Sequence, residues 1–165
     1  MEESRLITDE QFTAYARLYM DTIFRVAFNY LKSSSDADDI TQNVLIKLLR
    51  TNKTFENDAH IKHWLIRVTI NECKHTLLSP WRRTEPIEDY IESLRFDAPE
   101  QSELFEKVME LPTKYRVTIF LYYFEDFSTK DIAQLLKISN ATVRTQLRRA
   151  REQLKTRLLE VKNNV

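Results

Sequence analysis

The chain has 165 residues with 25 basic and 25 acidic side chains, so its formal net charge is zero, and it contains no glycine and one cysteine. The absence of glycine excludes glycine-rich phosphate loops and dinucleotide-binding fingerprints, and a single cysteine excludes an intramolecular disulfide. No apolar stretch approaches the roughly 20 residues that cross a bilayer, and no secretory signal is visible, so we expect a soluble cytoplasmic protein. Abundant Leu, Ile, Lys, Arg, Glu and Gln predict an all-α fold.

Two helices are predicted first. Thr8 followed by Gln11 has the capping-box pattern, and apolar residues at three- and four-residue spacings then continue to about Leu31. In the serine-rich break that follows, Ser35 is expected to cap a second helix that ends near Thr51. Acidic and amide side chains crowd the first two turns of this second helix. Acids stabilise a helix N-terminus by about 0.3 to 1 kcal/mol, so the cluster by itself indicates no more than a cap.

A third helix, from about His60 to Leu78, is predicted after a polar loop at residues 52–58 around one aromatic side chain, Phe55. At about 100° per residue, this helix resolves into two stripes. The core stripe is Ile66, Ile70, Cys73 and Leu77, and the second stripe is His60, Trp64, Arg67, Asn71, Lys74 and Leu78. An aromatic ring among cations suits single-stranded DNA, where the ring stacks on a base and the cations hold the backbone. A tryptophan that covers the edge of the core explains the pattern equally well.

Zinc-ligand residue types cluster in the same part of the chain: His60, His63, Cys73 and His75. On a continuous helix His60 and His75 lie about 22 Å apart along the axis, and Cys73 falls on the core stripe, so the four side chains do not converge. No metal site is therefore expected. Because no Ser–His–Asp arrangement or HExxH motif is present either, we expect no catalytic residues, no cofactor and no enzymatic activity.

The chain is predicted to contain two domains. Residues 79–97 have weak apolar periodicity, and between residues 85 and 110 nine acids stand against two bases. Such a segment is typical of a solvated linker. We therefore expect an N-terminal domain at residues 1–78, a linker at 79–97 and a C-terminal domain at 98–165.

Four helices are predicted in the C-terminal domain. The apolar pattern is interrupted at Pro112, Ser128 with Asp131 begins a short helix, and Ser139 is expected to cap a long last helix. A short helix, a turn of about three residues at 138–140 and a long helix make a helix-turn-helix. From residue 142 onward seven bases stand against two acids. We expect this last helix to read DNA, the alternative being a solvated basic face.

Several stretches resemble conserved regions of one protein family. The segment from Tyr19 to Arg50, which contains SDADDITQNVLIKLLR, and the segment HWLIRVTIN at residues 63–71 resemble the second conserved region of extracytoplasmic-function sigma factors of the sigma-70 family. Residues 111–154, which contain STKDIAQLLKISNATVRTQLRRAREQL, resemble the fourth conserved region. The resemblance implies two helical domains of the sigma-2 and sigma-4 types. It also implies an alternative sigma factor that binds bacterial core RNA polymerase and directs promoter-specific initiation.

The resemblance assigns roles to individual residues. Contacts with core polymerase are expected from Asp36, Asp38, Asp39, Gln42 and Asn43. The melted minus-ten element is expected to contact Phe55, Glu56, Asn57, Asp58, His60, Trp64, Arg67, Asn71 and Lys74. The minus-35 element is expected to contact Thr129, Thr142, Arg144, Thr145, Arg148 and Arg149. In this family a base flipped out of the minus-ten element is captured by the loop before the third helix, so melting is a binding event without ATP.

Two residues depart from the family pattern. Ala141 stands where a glycine is usual, and Gln146 stands where a basic residue is common. A glutamine can pair with adenine through two hydrogen bonds, so Gln146 predicts an altered base preference. The family also implies an anti-sigma factor as a partner, and a membrane-associated regulator is a reasonable hypothesis.

Two rival functions fit parts of the sequence. A stand-alone helix-turn-helix regulator explains the C-terminal half and predicts binding to duplex DNA without polymerase. An all-helical protein-interaction module with merely solvated basic faces predicts no salt-dependent affinity for DNA.

Overall fold

The computed structural model describes residues 7–78 and 99–163, which form seven helices and no strand. This confirms the all-α prediction. The chain divides into two compact units, Met1–Arg83 and Thr84–Val165. The predicted linker at residues 79–97 lies outside the described residues.

Unit 1 contains α1 (Asp9–Leu31), α2 (Ser34–Arg50) and α3 (Asp58–Leu77). α1 packs against both α2 and α3, and α2 also packs against α3. The unit buries aliphatic and aromatic side chains from all three helices, among them Ile23, Phe28, Leu31, Leu48, Ile61, Leu65, Ile66 and Ile70.

Local capping determines where these helices begin. The capping box of Thr8 and Gln11 is present, with both of its hydrogen bonds formed. The prediction of Ser35 as the cap of α2 was wrong, because the Ser33 hydroxyl accepts the hydrogen bond of the Asp36 N–H at 3.2 Å.

The third helix differs from its prediction in its start and its buried stripe. It begins at Asp58 because the Asn57 side chain caps it, accepting a hydrogen bond from the His60 N–H at 2.8 Å. Ile66, Ile70 and Cys73 are buried as predicted, whereas Leu77 is 36% exposed at the last turn.

Unit 2 contains α4 (Pro99–Met109), α5 (Thr113–Tyr123), α6 (Thr129–Leu136) and α7 (Asn140–Asn163). The long α7 packs against α4, α5 and α6. The predicted caps of α6 and α7 are confirmed: the Ser128 hydroxyl accepts from the Asp131 N–H, and the Ser139 hydroxyl accepts from the Thr142 N–H, both at 3.1 Å. The buried side chains include Phe120, Leu121, Ile132, Leu135, Val143, Leu147 and Ala150.

Among residues 7–78 and 99–163, three adopt the left-handed conformation that glycine usually supplies. They are Lys32, Asp126 and Lys137, with φ of 51°, 57° and 56°. Lys137 closes α6, so the turn of the helix-turn-helix covers residues 137–139, one residue earlier than predicted. Because the chain has no glycine, these turns are made by residues for which the conformation is unfavourable.

Two absences hold for residues 7–78 and 99–163. None of the helices is long and apolar enough to cross a membrane. No group of three or more His, Cys, Asp or Glu side chains is arranged to hold a metal ion.

Candidate nucleic-acid interface

The predicted polymerase contacts lie mainly on one outward face of α2. Asp38, Asp39, Gln42 and Asn43 are exposed, whereas Asp36 is half-buried in the first turn, where Ser33 caps its N–H. The same face continues to Ile46, which is 44% exposed. Four of the five predicted residues therefore form one acidic and amide surface, and the fifth lies at the start of the helix.

An aromatic cluster braces the loop before α3. The Phe55 ring meets the His60 ring edge-on at 5.4 Å and the Trp64 ring at 5.5 Å, measured between centroids. His60 Nδ1 accepts a hydrogen bond from the Glu56 N–H at 3.1 Å. Trp64 is only 8% exposed. The Trp64 ring therefore supports Phe55 and the edge of the core. It does not offer the open stacking surface that the second stripe predicted.

A tyrosine from α1 anchors the base of this loop. The Tyr19 hydroxyl donates a hydrogen bond to the Asp58 backbone oxygen at 3.2 Å, and its side chain is buried. Burial, together with the nearby Asp58 carboxylate and Tyr15, raises the pKa of Tyr19 above its usual value of 10.0. The loop is thus attached at one end to α1 and braced from within by Phe55.

The outer face of α3 presents the remaining predicted minus-ten residues. Asn71 and Lys74 are exposed and Arg67 is half-buried. Beside them, Lys47 of α2 forms an ion pair with Glu72 of α3. A shallow groove between the two helices is lined by Asn43, Ile46, Lys47, Arg50, Thr51, Trp64 and Glu72. Lys47 and Arg50 were not predicted as site residues, because they follow the acidic cluster on α2, whereas the predicted minus-ten stripe lies on α3.

The helix-turn-helix of unit 2 exposes most of the predicted minus-35 residues. Thr142, Arg144, Arg148 and Arg149 are exposed, and Thr129 and Thr145 are half-buried. The Thr142 hydroxyl lies 2.8 Å from the Ser139 hydroxyl at the first turn of α7. The first three turns of α7 therefore carry a mixed arginine and threonine surface, the composition that contacts base edges and phosphates.

The other two arginines of α7, Arg151 and Arg157, bind side chains that lie outside α7. Arg151 Nε donates to the Tyr123 hydroxyl at 2.6 Å, and its guanidinium lies over the Tyr122 and Tyr123 rings at 5.7 and 5.5 Å. Arg157 pairs with Glu110, the residue that follows α4, at 3.2 Å. Counting bases along α7 therefore overstates the basic surface, since the Glu110 carboxylate offsets the charge of Arg157.

Arg148 of the predicted DNA face also has a partner. It forms an exposed ion pair with Glu152 at 3.4 Å, a type of pair that contributes little to stability. The side chain of Arg149, with the charge of Lys114 nearby, lowers the pKa of Tyr115 below 10.0.

Gln146 packs between helices. Its side-chain oxygen accepts a hydrogen bond from the Thr118 hydroxyl of α5 at 2.8 Å, and its side chain is half-buried. The amide therefore faces α5. This placement favours a role in joining α5 to α7 over the altered base preference that the sequence predicted.

An apolar groove of about 430 Å³ runs along the far half of α7. It is lined by Leu104, Val108, Ile119, Leu154, Leu158 and Leu159, with Lys155 and Lys162 along it. Sequence reasoning missed it because three helices contribute, and only their packing brings the leucines together.

Comparison with known proteins identifies the family. The protein-family model described as "Sigma-70 region 2" matches residues 15–83, and the one described as "Sigma-70, region 4" matches residues 101–154. RNA polymerase sigma factor SigV of Bacillus subtilis (strain 168) is 30% identical over 138 residues, which cover 82% of this chain and 83% of SigV. ECF RNA polymerase sigma factor SigW of the same strain is 26% identical over 170 residues, which cover 92% and 91%.

Two solved structures share the fold. The sigma factor RpoE, in a complex with the anti-sigma factor NepR from Bartonella quintana, has a TM-score of 0.71 at 19% identity and covers 92% of this chain and 98% of its own. CnrH, in a complex with the cytosolic domain of CnrY, has a TM-score of 0.67 at 21% identity, with coverage of 93% and 90%. Both matched regions, in the family order, and the 30% identical relative show that this chain belongs to the sigma-70 family, as an alternative sigma factor of the extracytoplasmic-function type that directs promoter-specific transcription initiation.

Proposed function

We propose that the chain acts in the cytoplasm as a non-enzymatic subunit of bacterial RNA polymerase, with separate surfaces for core polymerase, minus-ten DNA and minus-35 DNA. The loop before α3 carries this proposal, because Phe55, His60 and Trp64 brace it, and the exposed Asn71 lies seven residues after Trp64 on the same face of α3. A regulator that only binds duplex DNA has no use for such a loop. No cofactor enters the proposal.

The minus-ten element is captured by the loop and the outer face of α3. Flipping a base out of the duplex costs a few kcal/mol of stacking, which contacts in the loop must offset. A loop already held by Tyr19 and by the Phe55 cluster loses less conformational freedom on binding than a free one. Arg67, Asn71 and Lys74 then hold the backbone and the displaced base. Trp64 acts indirectly, by supporting Phe55.

The minus-35 element is bound by α7, whose first turns enter the major groove. Arg144, Thr145 and Arg149 are assigned to base edges, and Thr129, Thr142 and Arg148 are assigned to the phosphates nearby. The side chains exposed on this surface support the assignment.

Core polymerase is bound by the exposed face of α2. Asp38, Asp39, Gln42 and Asn43 supply charge and hydrogen-bond acceptors, and Ile46 supplies an apolar contact on the same face. Protein interfaces combine an apolar centre with a polar rim, and Ile46 with its acidic and amide neighbours has this composition. Asp36 acts by stabilising the start of the helix that presents them.

An anti-sigma factor is proposed to bind the apolar groove of unit 2 through an acidic amphipathic helix. Its leucine lining fits the apolar face of such a helix, and Lys155 and Lys162 complement acidic residues. The sigma factor RpoE was solved in a complex with the anti-sigma factor NepR, and CnrH in a complex with the cytosolic domain of CnrY. Leu159→Asp, at a 48% exposed position, should raise transcription in unstressed cells without changing transcription by purified components. A loss of activity in the purified system would instead assign the groove to polymerase.

Run-off transcription tests the main proposal. Core polymerase with and without the chain is presented with a library of promoter fragments, alongside the Asn71→Ala and Arg149→Ala variants. Initiation at a discrete promoter set that requires the chain, and that both substitutions weaken, is the expected result. If no start site depends on the chain while it binds duplex DNA alone, the stand-alone regulator is the correct function.

A further inference from the structure

His60 is the third residue of α3 and binds the end of the preceding loop through two hydrogen bonds. Its backbone N–H donates to the Asn57 side chain at 2.8 Å, and its Nδ1 accepts from the Glu56 N–H at 3.1 Å. A capping box places glutamate or glutamine at this third position, where the side chain accepts from the N–H of the capping residue. In α3 an imidazole nitrogen is the acceptor, and it binds the residue before the cap.

The bond to Glu56 restricts a peptide group inside the loop. Because a peptide group is planar, holding the Glu56 N–H also restricts the backbone carbonyl of Phe55, which lies in the same plane. The Phe55 ring in turn meets the His60 ring edge-on, with centroids 5.4 Å apart. Both the backbone and the side chain of Phe55 are therefore arranged around His60.

The two residues that follow Glu56 are held by other groups. Asn57 caps α3, and the Asp58 backbone oxygen accepts a hydrogen bond from the Tyr19 hydroxyl at 3.2 Å. Both of these contacts lie at the start of the helix. The contact from His60 Nδ1 reaches one residue further back, into the loop assigned to the minus-ten element.

The position of this hydrogen bond indicates where its effect is greatest. Nδ1 accepts a hydrogen bond only when it carries no proton, so the proton of the neutral ring lies on Nε2. His60 and Glu56 are both exposed, and one hydrogen bond contributes modestly to the stability of a fold. The same bond restricts a loop that must adopt one conformation to receive a base. We therefore expect its main effect on DNA capture.

We propose that His60 is a positioning residue for base capture, whose Nδ1 holds the Phe55–Glu56 peptide group in the conformation that receives the melted minus-ten strand. The inference rests on the function proposed above for this loop. Without the Nδ1 acceptor, the peptide group must be ordered when DNA binds, and the conformational freedom lost at that step weakens capture. His60 thus acts through the loop.

Two substitutions separate the acceptor of His60 from its ring. His60→Asn removes the ring but keeps an acceptor, because the asparagine Oδ1 takes a position close to that of Nδ1. His60→Phe keeps an aromatic ring next to Phe55 but removes the acceptor. If the hydrogen bond positions the loop, the asparagine variant should retain DNA capture and the phenylalanine variant should lose it.

The test measures binding of a fluorescent single-stranded minus-ten oligonucleotide to polymerase reconstituted with the full chain. His60→Phe should weaken this binding about threefold to tenfold, the effect of one hydrogen bond. His60→Asn should stay within about twofold of the wild type. Binding to a duplex that carries only the minus-35 element, and the urea midpoint of the chain, should change little in either variant.

The inference is overturned if His60→Asn binds the oligonucleotide as weakly as His60→Phe, because the ring or its Nε2 would then contact the DNA. It is also overturned if His60→Phe binds as tightly as the wild type, or if its loss of binding accompanies a lower urea midpoint. Asn71→Ala separates these failures from that of the proposed function. A loss with Asn71→Ala but none with His60→Phe rejects the role of His60 alone, and no loss with either variant rejects the assignment of this surface to the minus-ten element.

Discussion

Lys137 closes α6 in the left-handed conformation, at φ of 56°. The side chain is exposed, and this conformation costs a non-glycine residue about 1 to 2 kcal/mol. Lys137→Gly should therefore stabilise unit 2, by about 0.5 to 1 kcal/mol after the greater freedom of unfolded glycine is subtracted. The measurement is a rise in the urea midpoint. Lys155→Gly, within α7, should lower it instead, and equal shifts for both variants would contradict the explanation.

Tyr19 gives unit 1 a defined sensitivity to alkali. Its pKa is raised in the folded chain, chiefly by burial, so folding favours the neutral hydroxyl. The stabilisation that the buried, neutral Tyr19 hydroxyl contributes is complete below the pKa of Tyr19 in the unfolded chain, near 10. It is lost as the pH rises through the higher pKa of Tyr19 in the folded chain. Tyr19→Phe should be less stable at neutral pH but should lose less stability between about pH 9 and pH 11. Urea unfolding across that range measures the difference, and parallel curves for both proteins would exclude Tyr19 as the cause.

At the scale of elements, Asn57 serves α3 in two separable ways. Its side chain caps the helix, and it belongs to the predicted minus-ten loop. Asn57→Ala should lower the stability of unit 1 by about 1 kcal/mol and reduce promoter opening. Asn57→Asp keeps a capping oxygen, so stability should be retained while added negative charge reduces promoter opening. Thermal unfolding and permanganate reactivity of promoter thymines measure the two effects. Full promoter opening by the Asp variant would remove Asn57 from the DNA surface.

Local sequence signals predicted the helices more reliably than they predicted which side chains the outer faces of those helices expose. Thr8, Ser128 and Ser139 cap their helices because a capping oxygen acts within three residues. The run of three serines before α2 offers equivalent caps, so the local pattern does not distinguish Ser33 from Ser35. Tyr123, which accepts a hydrogen bond from Arg151, is 28 residues away along the chain, and only the packing of α5 against α7 brings the two side chains near.

At the scale of the whole molecule, a formal net charge of zero combines a basic α7 with an acidic stretch centred on residues 85–97. Long-range repulsion from these acids should weaken the binding of the free chain to DNA. Both family regions and the two-unit division were accessible from sequence, because charge and periodicity change together along the chain. Only the packed structure shows which arginines of α7 remain available to DNA.

This charge distribution predicts how the free chain responds to neutralisation of its acids. Replacing Glu85, Glu88, Asp89, Glu92 and Asp97 by the matching amides should strengthen duplex binding by the free chain on the order of threefold to tenfold at low salt. The gain should disappear near 0.5 M salt, because screening then acts over only about 4 Å. Fluorescence anisotropy of a labelled duplex across a salt series measures both effects. A gain that persists at high salt would mean that the acids act through a specific contact, and no gain at low salt would mean that their field does not reach the DNA-binding surface of α7.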